Sequence, residues 1–206
     1  TPSNSSAASD VYKRQTYYRT LEYGEEDDIM ATYRTKTYIA GDWDHDKDAV
    51  DKLYQWNGSN YWSLSFTDAH DLTQANDSSL NCSIKSSLKT RLDASKRFVL
   101  IVGNSTNTVT AGSCTYCESY NSHTYSCARG HSVDYRGFIK YECDKAVEAG
   151  IKIIVLYKAA CVNKSKCPEA VKNIGVHAPM CYRGDDGVLH WDYNSVKKAF
   201  DKSDNC

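Results

Sequence analysis

The sequence has no long apolar run and no excess of charge of either sign. Its longest apolar stretches, residues 98–103 and 151–157, are the length of a strand and fall far short of the ~18 residues that read as a membrane span. The formal net charge is −1, from 25 Lys+Arg against 26 Asp+Glu, so the broad basic surface of a nucleic-acid-binding protein is missing. We therefore expect neither a membrane nor a nucleic acid as a partner.

Several motifs that mark common enzyme classes are also missing. The sequence contains no GxGxxG, no GxxxxGK[ST], no GxSxG and no HExxH. These absences remove the usual support for glycine-cradled dinucleotide binding, P-loop hydrolysis, nucleophile-elbow chemistry and zinc-dependent proteolysis. If a nucleotide binds to this chain, side chains and strand-end loops must hold it.

The cysteines and the N-terminal segment bear on the cellular compartment. An odd count of nine cysteines argues against a secreted disulfide scaffold, because one thiol would be left over. Residues 1–15 are rich in serine and alanine and lack the apolar core of an export signal. We expect a cytoplasmic protein in which residues 1–30 are non-native or disordered and residues 31–206 form one domain.

Short strands alternate with helices along that domain. Strands are predicted over residues 35–41, 61–66, 97–103, 151–157 and 178–182, and helices with apolar stripes over residues 49–54, 80–92, 134–149 and 193–202. This alternation is typical of an α/β fold of the flavodoxin-like class, an open parallel sheet with helices on both faces. Because ligands bind outside the carboxyl ends of the strands in such sheets, the loops there are the candidate site.

A long polar segment, residues 104–134, interrupts the pattern as an insertion rich in cysteine. Its spacing, Cys114-x₂-Cys117 followed by Cys127, resembles that of zinc ligands, with His131 or His123 as the fourth. A structural zinc would brace a loop too long and polar to hold one shape. Free thiols are the alternative.

One carboxylate falls inside the apolar stripe of the helix predicted at residues 134–149. Glu142 lies three residues after Ile139 and four before Ala146, so it faces the core. A buried carboxylate needs a partner or an opening onto a cleft. Glu142 is therefore either a boundary residue paired with a cation or a functional group aimed into the site.

The segment around this glutamate resembles a known family. Residues 135–156, YRGFIKYECDKAVEAGIKIIVL, are similar to the C-terminal core of TIR domains, in which an aromatic–Glu pair on a helix precedes a glycine and an apolar strand. Residues 38–40, 67–72, 86–92 and 98–103 resemble, in consistent order, the TIR-like proteins of bacterial Thoeris anti-phage systems.

The resemblance implies cleavage of NAD at the nicotinamide–ribose bond, giving an ADP-ribose-derived and often cyclic immune signal. Glu142 matches the catalytic glutamate of the family. Residues expected to contact the nucleotide are Tyr38, Asp42 and Trp43 after the first strand, and Asp68, His70 and Asp71 in the loop that resembles the one gating TIR pockets. Tyr38 and Trp43 stack on a base in this hypothesis, and packing in the core or at the rim is the alternative.

The resemblance also implies partners. We expect a homo-oligomer in the active state and a downstream effector protein that receives the nucleotide signal. Two other functions remain open: a non-catalytic TIR or flavodoxin-like module that acts by association, and an enzyme resembling nucleoside deoxyribosyltransferases, whose fold also pairs a parallel sheet with an active glutamate.

Overall fold

The computed structural model describes residues 34–70 and 80–205. The predicted N-terminal segment 1–30 and the candidate residue Asp71 lie outside the described residues. In chain order the described elements are β1 (Lys36–Ala40), α1 (Lys47–Asn57), α2 (Asn81–Asp93), β2 (Ser95–Val102), β3 (Tyr120–Asn121), β4 (Ser126–Cys127), α3 (Phe138–Glu148), β5 (Lys152–Tyr157), β6 (Val176–Pro179), β7 (Cys181–Arg183), β8 (Leu189–Trp191) and α4 (Tyr193–Asp204).

The predicted α/β fold is confirmed. Strands β1, β2, β5 and β6 form a parallel sheet in the order β1-β2-β5-β6. Helices α2 and α3 pack on one face of the sheet and α1 and α4 on the other. A sheet covered on both faces explains why residues 98–102 are a continuous run of buried apolar side chains rather than an alternating one.

The pleat of β1 divides its side chains between the two cores. Tyr38 and Ala40 point to the face covered by α2 and α3, and Ile39 points to the opposite face. Because Glu142 on α3 is directed at the same face as Tyr38, the sheet brings these two residues together.

The predicted strand at residues 61–66 is wrong. Ser65 has a φ of 55°, a left-handed conformation that does not fit an extended strand. Leu64 and Phe66 are buried among the side chains of α1 and α4, while Tyr61 is 82% exposed. Just after this segment, the described residues form one isolated parallel bridge, between Asp68 and Thr37 of β1.

Helix α3 begins at Phe138, four residues later than predicted. The preceding segment is held in a non-helical conformation by Lys85, whose Nζ donates to the backbone oxygens of Asp134 (3.1 Å) and Arg136 (2.7 Å). Tyr135, within the helix predicted at residues 134–149, therefore precedes the helix and is exposed. Ile139, Glu142 and Ala146 lie on the buried face as predicted, together with Cys143.

The C-terminal region contains more strand than the sequence indicates. The single strand predicted at residues 178–182 is divided between β6, which joins the sheet, and β7. A turn at Gly184–Gly187 connects β7 to β8 in a separate antiparallel hairpin. None of the helices in residues 34–70 and 80–205 has both the length and the hydrophobicity needed to cross a bilayer.

Candidate active site

A cavity of about 390 Å³ opens beside the carboxyl end of β1, between the loop after β1 and helices α2 and α3. Five of the residues predicted for the site from sequence line it: Tyr38, Asp42, Trp43, His70 and Glu142. They come from three separate segments of the chain. The cavity is within the size range of small-molecule sites in proteins, and it is the place where the fold predicts one.

Glu142 is the only carboxylate of α3 on the buried face of that helix, and it is 7% exposed. Its Oε1 accepts a hydrogen bond of 2.5 Å from the hydroxyl of Tyr38. Burial raises the pKa of Glu142 from 4.5 to about 7, against the opposing effects of the Tyr38 hydrogen bond and the positive charge of Arg91. The group thus titrates near neutral pH, which is the range in which a functional carboxylate is useful.

Tyr38 holds this carboxylate from the sheet. Its side chain is fully buried and its ring stacks on Phe98 at 5.8 Å between centroids. Burial, reinforced by the Glu142 carboxylate, raises the pKa of Tyr38 well above 10, so the phenol remains a hydrogen-bond donor. This position matches the core-packing alternative for Tyr38, because a buried ring has no free face to stack on a nicotinamide or adenine.

Trp43 and His70 form the mouth of the cavity. The Trp43 ring is 44% exposed and meets the His70 ring edge-on at 5.6 Å. His70 in turn lies 5.4 Å from the Tyr38 ring. Trp43 is therefore the most exposed of the aromatic residues that line the cavity.

Asp68 does not line the cavity but fixes His70. Its carboxylate pairs with His70 Nδ1 at 2.9 Å and accepts a hydrogen bond of 2.6 Å from the Tyr54 hydroxyl. Burial alone would raise the pKa of Asp68, but the hydrogen bonds from His70 and Tyr54 outweigh it and lower the pKa to about 2. Asp68 is thus ionised at neutral pH and orients the imidazole at the mouth.

The carboxylate of Asp42 shapes the turn after β1. Its Oδ2 lies 2.8 Å from His45 Nδ1, and its Oδ1 accepts a hydrogen bond of 3.2 Å from the backbone N–H of Asp44. These contacts direct Trp43, the next residue in the chain, to the cavity mouth. Asp42 also lines the cavity, and each of its carboxylate oxygens makes one contact within the turn.

Arg91 lines the cavity and was missed by the sequence analysis. It lies near the end of α2, three residues after the buried Leu88, and its positive charge lowers the pKa of Glu142. The signal that reveals it is the helical spacing from Leu88, which places Arg91 beside the apolar stripe that faces α3.

A larger groove, of about 930 Å³, lies between the insertion and the N-terminal end of α3. It shares Val109 and Ile139 with the cavity at Glu142 but does not contain that glutamate. Its arginine, Arg136, is already paired with Asp134 and Asp144. The smaller cavity is the better candidate because it holds the carboxylate with the perturbed pKa.

The predicted metal ligands of the insertion lie close together. Cys114, Cys117, Cys127 and His131 line a single small cavity, to which α2 adds Cys82. Within residues 34–70 and 80–205, no three histidine, cysteine, aspartate or glutamate side chains are arranged so as to hold a metal ion. Zinc at these residues stays a prediction.

Residues 37–111 match a family model described as the TIR-like domain of the Thoeris protein ThsB. The matched segment is similar to that TIR-like domain. It includes β1 from Thr37 onward, the loop that carries Asp42 and Trp43, α1, α2 and β2, and therefore one wall of the cavity. Among curated proteins, no match to the chain is found.

The family match ends at residue 111, before α3. Glu142 therefore lies outside the matched segment, and its hydrogen bond with Tyr38 joins it to that segment. Phe138, four residues before Glu142 on α3, lines the same cavity. Phe138 and Glu142 of the segment that resembles TIR domains in sequence thus lie against the matched residues 37–111 in space.

Proposed function

We propose that this protein is a TIR-type enzyme of anti-phage defence that cleaves NAD at the nicotinamide–ribose bond and releases an ADP-ribose-derived signal. We propose a cyclic form for this signal. The observation that carries the proposal is Glu142, a buried carboxylate with a pKa near 7 at the end of a cavity whose mouth is formed by Trp43. The family match of residues 37–111 supports the TIR-type role.

The residues suit the chemistry of this reaction. When the C–N bond breaks, both electrons go to the ring nitrogen of nicotinamide, which leaves as a neutral base and needs no general acid. The ribose is left with oxocarbenium character, which a nearby carboxylate stabilises as in glycoside hydrolysis. Water, or a nucleophile within the ADP-ribose itself, then takes the vacated position and gives a linear or a cyclic product.

The raised pKa of Glu142 fits a cationic substrate. In the free protein the carboxyl group is close to half protonated at neutral pH, since its pKa is about 7. A positively charged nicotinamide ring nearby favours the ionised form. We therefore propose that NAD binding itself completes the ionisation of Glu142, and that Trp43 stacks on the nicotinamide or the adenine at the mouth.

The proposal is tested by incubating the full chain separately with NAD and with a deoxynucleoside plus a free base, and analysing the products by chromatography and mass spectrometry. Free nicotinamide with an ADP-ribose-derived partner supports it. Exchange of bases on the deoxynucleoside, with NAD untouched, would instead identify a deoxyribosyltransferase-like enzyme. Turnover of neither substrate, together with self-association, would identify a non-catalytic module.

Removing the Tyr38 hydroxyl is expected to shift the pH dependence of NAD cleavage. The Tyr38 hydrogen bond lowers the pKa of Glu142, and a hydrogen bond to a charged group contributes about 1.5–3 kcal/mol. Tyr38→Phe should therefore move the acidic limb of the kcat profile to higher pH by roughly one to two units. The rate should be low at neutral pH and largely recover in alkaline buffer.

Tyr157→Phe is the matched control for this experiment. Tyr157 is a buried tyrosine on the same face of the sheet, and its hydroxyl pairs with His177 Nδ1 at 2.9 Å rather than with Glu142. It should leave the pH profile in place. A Tyr38→Phe enzyme with an unshifted profile, or one equally slow at every pH, would show that Tyr38 does not tune Glu142.

We further propose that self-association controls the activity, as the resemblance to TIR domains implies. If the competent state is a minor population in the free protein, the apparent rate falls by the competent fraction until a neighbouring subunit favours that state. The rate of NAD cleavage per molecule should then rise steeply over about a hundredfold increase in protein concentration. A flat specific activity, with only monomer seen by light scattering, would contradict this.

A further inference from the structure

Four cysteines from three segments of the chain surround one small apolar cavity. Cys82 lies in the first turn of α2, Cys114 and Cys117 lie at the two ends of a short 3-10 turn, and Cys127 ends β4. The cavity measures about 10 Å³, roughly the space of one water-sized sphere. Four cysteines that line a space this small supply the ligand type and number of a structural zinc site.

The burial of these side chains separates the cysteines from the neighbouring histidine. Cys114 is buried, and Cys82, Cys117 and Cys127 are half-buried. His131 also lines the cavity but is exposed. Cys82 is therefore the better fourth ligand. The cysteine spacing within the insertion does not reveal it, because Cys82 lies on α2.

Backbone hydrogen bonds close turns at Cys114 and Cys127, and one backbone N–H is directed at a sulfur. The N–H of Cys117 donates to the carbonyl of Cys114 (3.0 Å), and the N–H of Gly130 donates to the carbonyl of Cys127 (2.9 Å). The N–H of Asp134 donates to the sulfur of Cys114 at 3.3 Å. A backbone N–H directed at a ligand sulfur is the kind of outer contact that orients a metal ligand.

We propose that Cys82, Cys114, Cys117 and Cys127 bind one zinc ion as four thiolates. Four thiolate ligands favour zinc over harder cations. The side chains as they stand are not arranged to hold a metal. Each sulfur turns about a single side-chain torsion between staggered positions, and metal binding supplies the free energy that draws the ligands together.

Such a site would join α2 to the insertion. The two are already connected by Asn81 Nδ2, which donates to the carbonyl of Ser113 at 2.9 Å. The start of the insertion supplies Val109 and Ala111 to the wall of the cavity at Glu142, opposite Leu88 and Arg91 of α2. The zinc would thus brace two walls of the candidate active site without contacting a substrate.

Metal analysis of the full chain, purified under reducing conditions without added metal, tests this site independently of NAD cleavage. We expect about one zinc per chain. Replacing it with cobalt should give the absorption of a tetrahedral site with sulfur-to-cobalt charge transfer. Cys82→Ser should weaken zinc binding by more than about tenfold, since loss of even an outer contact typically costs that much. Cys161→Ser, an exposed cysteine outside the cavity, is the control and should keep the zinc.

Three results would overturn the proposal. The first is a zinc ratio near zero with all four thiols freely titratable before and after zinc is added. The second is disulfide bonding among the four cysteines in the protein purified under the same reducing conditions. The third is that Cys82→Ser binds zinc fully while His131→Ala does not bind it. This result would identify His131, not Cys82, as the fourth zinc ligand. The cobalt spectrum of the unmodified protein keeps the test decisive if a variant does not fold.

Discussion

Replacing Glu142 by glutamine is expected to reduce NAD cleavage by more than tenfold while leaving the fold intact. Glutamine has the same shape, and its side-chain oxygen can still accept the hydrogen bond from Tyr38 that Glu142 Oε1 accepts. What it lacks is the negative charge that stabilises the oxocarbenium-like ribose. A tenfold loss corresponds to about 1.4 kcal/mol of barrier, a small part of what an electrostatic group in a shielded site contributes.

Glu148→Gln is the matched control. Glu148 lies on the same helix but is exposed, and it pairs with Lys145, so its loss should leave the rate unchanged. Nicotinamide release and the circular-dichroism spectrum should be measured for both variants. A Glu142→Gln protein that keeps its spectrum and more than about a tenth of the activity would remove Glu142 from the reaction.

The same substitution is expected to change how stability depends on pH. The pKa of Glu142 is about 7 in the folded protein and 4.5 ordinarily, so the folded state binds the proton more tightly than the unfolded state. The free energy of unfolding should therefore fall as pH rises from about 4.5 to about 7 and stay lower above that, by about 3 kcal/mol. Glutamine cannot ionise, so the free energy of unfolding of Glu142→Gln should not show this decrease.

Urea denaturation of both proteins at about pH 5 and about pH 8 measures the difference. Asp68 and Asp134 have pKa values lowered to about 2 from the ordinary 3.8. Their contribution to the free energy of unfolding is lost only as pH falls below 3.8, outside the pH range of this experiment, and it is the same in both proteins. Glu148→Gln should follow the unmodified protein at both pH values. Equal pH dependence of Glu142→Gln and the unmodified protein would show that Glu142 is not buried as described.

The parts of the fold that follow from local apolar patterning could be predicted from sequence. The run at residues 98–102 indicates a strand covered on both faces, and the stripe through Ile139 and Ala146 places Glu142 on the buried face of a helix. Both are properties of one element and its immediate neighbours. That is why the fold class and the inward direction of Glu142 agree with the structure.

The errors arise where distant residues decide the local conformation. Residues 134–136 have a sequence compatible with helix, but Lys85, about fifty positions earlier, binds their carbonyl oxygens and delays α3 until Phe138. Residues 61–66 are rich in aromatic side chains typical of a strand, yet Ser65 is left-handed and the segment packs against helices instead. No periodicity within either segment contains this information.

The site shows the same limit. Tyr38, Trp43 and Glu142 were identified as candidates, but the hydrogen bond of 2.5 Å that makes Tyr38 a buried partner of Glu142 joins residues 104 positions apart. Arg91 and Cys82 were not singled out from sequence because each lies on α2 and lines a cavity with residues from elsewhere in the chain. Sequence patterns indicate which face a residue occupies, and only the packing of the helices shows what lies opposite.

Cleavage of NAD in the Glu142 cavity is tested most directly by mass spectrometry of the products formed from NAD at high protein concentration. We expect free nicotinamide and an equal amount of an ADP-ribose-derived product, with a rate at subsaturating NAD that rises as pH passes through about 7 and is more than tenfold lower in Glu142→Gln. NAD recovered intact at every protein concentration and pH, from protein with its native circular-dichroism spectrum, would contradict it.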